Sequence, residues 1–128
     1  EYLKRAINFY EKGFNINDNY YTGENYALCL DMLRHKVDDT EEKIFYKISA
    51  KKIREKIIKN LTELIEENEK ITDLKWMYAT LANCNFALGN NEDGKKYEEI
   101  FLHKYVEADW EKATYLTSKK EVLKLLEG

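Results

Sequence analysis

The chain has 128 residues, 44% apolar and 35% charged, with 21 basic residues against 24 acidic ones and a formal net charge of −3. That is the size of one ordinary domain, with apolar material enough to bury a core. The charge balance argues against a nucleic-acid partner, which calls for a basic excess, and no apolar run approaches the roughly 18 residues of a membrane span.

Proline is absent and glycine is scarce (Gly13, Gly23, Gly89, Gly94, Gly128). The closely spaced turn signals that a chain of strands requires are missing. The spacing of apolar residues predicts an all-α fold of about six helices in a single domain, 1–128. The chain opens at Glu1 with residues already helical in pattern and shows no secretory signal. It is expected to be a fragment of a longer, cytoplasmic protein.

The first helix is predicted over about 1–15, with Leu3, Ala6, Ile7, Tyr10 and Phe14 on one face. The second covers about 21–35 and buries Ala27, Leu30 and Leu33. Asp39 with Glu42 three residues later reads as a capping box for the third helix, about 40–69. That helix would be about 45 Å long, and its apolar stripe is Ile44, Ile48, Ile53, Ile57, Leu61, Leu64 and Ile65. Asp73 is placed to cap the fourth helix, about 74–88, which stops at Gly89. The fifth, about 92–106, turns Tyr97, Ile100, Phe101 and Tyr105 inward. The sixth, about 109–127, carries an apolar set of Trp110, Ala113, Leu116, Leu123 and Leu126. Short connections predict antiparallel neighbours.

Small and large residues alternate at fixed spacings. With Gly89 as the glycine of a helix-helix turn, Tyr78 is the large aromatic of the helix before it and Leu81-Ala82 a Leu-small pair. Gly94 is then the small residue of the helix after it. Upstream, Ala6, Tyr10 and Gly13 in "AINFYEKGFNIN" repeat a small-large-small pattern, and "NYYTGENYALCLDML" looks like the opening helix of a further unit. These features resemble the tetratricopeptide repeat, an α-solenoid unit of two antiparallel helices. The fit departs at Phe101, where a small residue is expected, at Asn85, where an aromatic is expected, and at the long third helix, which breaks the period. Tyr21, Gly23, Asn25, Ala27, Trp76, Ala79, Thr80, Gly89 and Trp110 are also similar in pattern to the TRAF-binding repeat domain of apoptosis-signal-regulating MAP kinase kinase kinases and to related bacterial repeat proteins. That resemblance implies a regulatory, protein-binding array attached to an effector domain.

In such an array the first helix of each unit lines a concave groove. Trp76, Ala79, Asn83 and Phe86 would face it, as would Tyr21, Asn25 and Leu28 from the earlier unit. Asn both donates and accepts hydrogen bonds, which suits an extended peptide. Packing or capping roles account for the same residues equally well. A basic stretch, Lys51, Lys52, Arg54, Lys56 and Lys59, reads as a solvated helix face or else as a docking site for an acidic partner or nucleic acid.

No residue set points to catalysis, a metal or a cofactor. Were "GNNEDG" a calcium loop with Gly94 at its sixth position, Gly89 and Ile100 would stand where carboxylates are required. His35 and His103 are isolated, and Cys29 and Cys84 each fit an apolar helical pattern as small hydrophobes. The sequon at Asn60-Leu61-Thr62 falls mid-helix. The expected function is a non-catalytic scaffold for a protein or peptide, or alternatively a regulatory domain of a bacterial signalling or defence protein. The sequence leaves the oligomeric state open.

Overall fold

The computed structural model describes residues 3–6, 8, 20–67 and 73–126. Most of these residues are helical and none lies in a strand. The helices are α1 (Tyr20–Arg34), α2 (Thr40–Glu67), α3 (Leu74–Ala87), α4 (Asn91–Ile100) and α5 (Asp109–Leu126), with a π-helical turn at Phe101–Tyr105 continuing α4. Residues 3–6 and 8 are also helical. Of the face predicted upstream, Leu3 is buried, whereas the side chains of Ile7, Tyr10 and Phe14 lie outside the described residues, as does Gly13. Packing divides the chain into two compact units, Glu1–Ile57 and Ile58–Gly128, with α2 running through the division.

In the first unit α1 buries Ala27, Leu30 and Leu33, as their spacing requires. The backbone N–H of Glu42 donates to Asp39 Oδ2 at 3.0 Å, which satisfies one of the donors left open at the start of α2. The apolar stripe of α2 is shorter than its sequence suggests: Ile53, Ile57 and Leu61 are buried, but Ile44, Ile48 and Leu64 are exposed. Arg54 lies on the buried side between Ala50 and Ile57, and its guanidinium pairs with Asp31 of α1 at 2.6 Å. Both side chains are almost fully buried, so this pair joins the two helices inside the packed layer. Arg54 is therefore not part of a basic surface.

In the second unit α3 and α4 form an antiparallel hairpin. Gly94 lies against Phe86 near the connection, Tyr78 stacks on Tyr105 farther along, and Trp76 meets Phe101 at the far end. The connection is a Schellman turn. Gly89 takes φ 82°, Gly89 N–H donates to Phe86 O at 3.1 Å, and Asn90 N–H donates to Asn85 O at 2.8 Å. Asn85, buried where the repeat pattern expects an aromatic, anchors this turn. Its amide donates to Leu81 O at 2.8 Å, and its Oδ1 accepts from the Asn90 amide at 3.3 Å. Asp73 stands at the N-cap of α3, but its side chain makes no capping hydrogen bond.

Phe101 is fully buried between Trp76 and Tyr115, with ring centroids 5.7 and 5.0 Å away. At this point the α-helix widens into the π turn, closed by Val106 N–H to Phe101 O at 3.0 Å. A π turn often marks an inserted residue; here it coincides with a bulky ring where a repeat unit would carry a small one. Ala79, Ala82, Phe86, Phe101 and Tyr115 form the core, and Trp76, Tyr78, Tyr97, Leu102 and Val106 pack around it.

Helix α5 runs parallel to α3. Trp110 at its start lies 6.2 Å from Trp76, and Lys119 Nζ sits 4.2 Å from the Phe86 ring. Its buried face is Glu111, Tyr115 and Val122. The apolar set that the sequence places on this helix, Trp110, Ala113, Leu116, Leu123 and Leu126, is exposed. Polar Glu111 and amphipathic Tyr115 satisfy their polar atoms on the inner side, so the helix docks by them and leaves its leucines outward.

Candidate functional site

The residues singled out for a ligand groove fall in both units. In α1, Tyr21 is exposed, while Asn25 and Leu28 are half-buried. The Asn25 amide donates to Tyr21 O at 3.0 Å, a bond within its own helix. In α3, Trp76 is half-buried and Ala79, Asn83 and Phe86 are buried. Ala79 and Phe86 belong to the aromatic core shared with Tyr115 of α5. The chain's own last helix therefore occupies the face that the sequence assigns to a peptide. Asn83 Oδ1 is buried with no hydrogen-bond partner among the described residues. Of the basic stretch on α2, Lys51, Lys52, Lys56 and Lys59 are exposed.

A polar latch holds the start of α5. Glu111 Oε1 accepts the backbone N–H of Glu107 at 2.8 Å and of Ala108 at 3.1 Å, so Glu111 caps its own helix from the third position. Its other oxygen accepts from Lys75 Nζ at 2.6 Å. The hydrogen bond from Lys75, helped by the backbone donors, holds the Glu111 carboxyl below its ordinary range. The same hydrogen bond raises the Lys75 ammonium above its own. A second latch lies farther along α5. Tyr115 Oη donates to Glu98 Oε1 at 2.8 Å, and Lys119 Nζ donates to the same oxygen at 2.7 Å. Burial, then the bond to Glu98, pushes the Tyr115 phenol far up. These latches fix α5 in register; neither presents a nucleophile or base to an open cleft.

On the hairpin's flank Tyr78 stacks with Tyr105 at 5.4 Å and leans on Tyr97 at 6.0 Å. Burial raises the Tyr78 phenol. Among the described residues no group of three or more His, Cys, Asp or Glu is placed to hold a metal ion. No helix among them is long and apolar enough to cross a membrane. Cys29 and Cys84 form no disulfide, and burial pushes the Cys29 thiol up.

A surface that the sequence reading did not single out is the outer face of α5. Leu116 and Leu123, seven residues apart on one side of the helix, form an open surface patch with Lys119, Lys120 and Lys124, all of them on α5 itself. Glu111, Tyr115 and Val122, at spacings of four and seven residues, share the buried side, and the two leucines lie about a quarter turn or more round the helix from it. Comparison with protein-family models, with curated proteins and with solved structures finds no match.

Proposed function

We propose that this chain is a non-catalytic protein-binding module built like a tetratricopeptide array. One observation carries the reading: α5 repeats the direction of α3 and packs on the α3–α4 hairpin, as the first helix of a following unit would. The small residues support it. Ala79, Ala82 and Gly94 stand where the helices approach, and a β-carbon on Gly94 would come within 2.8 Å of the Phe86 ring. A helix stacked in this way has an outer face, and that of α5 carries exposed leucines. The partner is a protein or peptide, no cofactor takes part, and two cysteines without a disulfide suit a reducing cytoplasm. A displayed library of random peptides, panned on the immobilised chain, tests the reading. Selected peptides should bind the soluble chain saturably. Failure to enrich any peptide over the bare support would remove it.

A further inference from the structure

We infer that the outer face of α5 is a docking surface for an acidic amphipathic helix of a partner protein. The inference rests on the protein-binding reading above and gives that reading a surface and a partner chemistry. Leu116 is 41% exposed and Leu123 39% exposed, and they lie two turns apart on one line of the helix. That is the heptad spacing at which two helices packed side by side meet. Lysines rim the pair: Lys119 and Lys120 lie between the two leucines, Lys124 follows, and Lys112 precedes them by one turn.

Charge decides between possible occupants. Lys119 is committed to Glu98, but Lys112, Lys120 and Lys124 are exposed and pair with no carboxylate among the described residues. Glu121 stands on the same helix and bridges to none of them. Lys120 and Lys124 are four residues apart, so they repel along the helix surface. The chain as a whole is acidic, with a net charge of −3, yet it gathers unpaired positive charge round its exposed leucines. An acidic helix with leucines seven residues apart would cover both leucines and neutralise the rim. A second copy docking through the same face by two-fold symmetry would set lysine rims against each other, which is unfavourable.

The test uses a synthetic helical peptide with leucines at three- and four-residue spacing on one face and glutamates flanking them. A control carries lysines in place of the glutamates. Fluorescence anisotropy should show the acidic peptide binding at least tenfold more tightly than the control, and more weakly as salt rises. Leu116→Ser with Leu123→Ser should weaken binding at least tenfold while the helical circular-dichroism signal at the assay temperature is retained. Lys120→Glu with Lys124→Glu should reverse the preference between the two peptides. Equal binding of both peptides, or binding indifferent to these substitutions, overturns the proposal. So does a result in which the same substitutions instead abolish binding to phosphatidylserine vesicles or duplex DNA, or self-association by sedimentation velocity. If peptides selected from the library bind both double variants as tightly as the original chain, only the α5 surface falls. If no selected peptide binds any form, the protein-binding reading falls with it.

Discussion

Arg54 and Asp31 show how a charge is tolerated inside a packed layer. Each is buried, and each supplies the other's counter-charge at 2.6 Å. Removing one partner leaves the other buried and unpaired, which typically costs about 3–5 kcal/mol. Asp31→Ala should therefore lower the unfolding free energy by that order, read as a lower midpoint in urea. Asp31→Leu combined with Arg54→Met should be close to neutral, because no charge is stranded. A double variant as damaged as the single one would show that packing rather than charge pairing is at stake. Glu111 makes a different residue-scale prediction, set by pH. Its carboxyl titrates below the ordinary value, so its contribution is complete above the unfolded value of about 4.3 and is lost as pH falls through the lower folded value. Lys75, raised, keeps its share below its ordinary value and loses it only as pH climbs through the folded one. Between those limits the latch is intact. The melting temperature of the original chain should thus fall more steeply below about pH 4.3 than that of Glu111→Gln. Parallel curves would show that the carboxylate is not what the latch depends on.

At the scale of elements the two glycines of the hairpin separate backbone from packing. Gly89 has φ 82° and open space where a β-carbon would lie, so Gly89→Ala should cost only the left-handed penalty, about 1–2 kcal/mol. Gly94 has an ordinary helical backbone but touches the Phe86 ring, and Gly94→Ala should cost about 1–3 kcal/mol by overpacking. Asparagine tolerates the left-handed region, so Gly89→Asn should recover much of the loss, while Gly94→Asn should worsen it. Denaturant titration reads all four variants. The role of Gly89 was legible in the sequence, because a turn after an apolar helical run asks for that residue. The small position of Gly94 and the Leu81-Ala82 pair were legible for the same kind of reason, whereas Phe86, read as facing a groove, is buried in the core. What was not legible is which side of α5 faces in. Leucine content pointed one way, but Glu111, Tyr115 and Val122 won, since their polar atoms find partners on Lys75 and Glu98 that no local pattern reveals. Arg54 was misread for a similar reason: its place on the stripe of Ala50 and Ile57 implied burial, and only the distant Asp31 makes that burial tolerable.

For the molecule as a whole, burial forecasts where the chain opens first. Helix α2 has 28 residues, about 42 Å at 1.5 Å per residue, yet its sides are covered unevenly. From Glu41 to Ile48 every side chain is exposed except the half-buried Tyr46, while Ala50, Ile53, Arg54 and Ile57 are buried. Helical hydrogen bonds unsupported by packing break by local fraying, and the amides beneath a packed face open only with their unit. Hydrogen exchange followed by mass spectrometry should therefore split α2. Peptides spanning 41–48 should exchange early and those spanning 53–57 late. In the second unit the slowest peptides should cover 80–86, where every residue is buried. Intrinsic helix propensity does not predict the split, since Glu41, Glu42, Lys43 and Lys47 are good helix formers in the fast segment. Early exchange there would also show that Ile44, Phe45 and Ile48 face water in the free chain. Slow exchange through 41–48 at low concentration, with no change on dilution, would mean that this stretch is buried after all, and the exposure assigned to its three apolar side chains would be wrong.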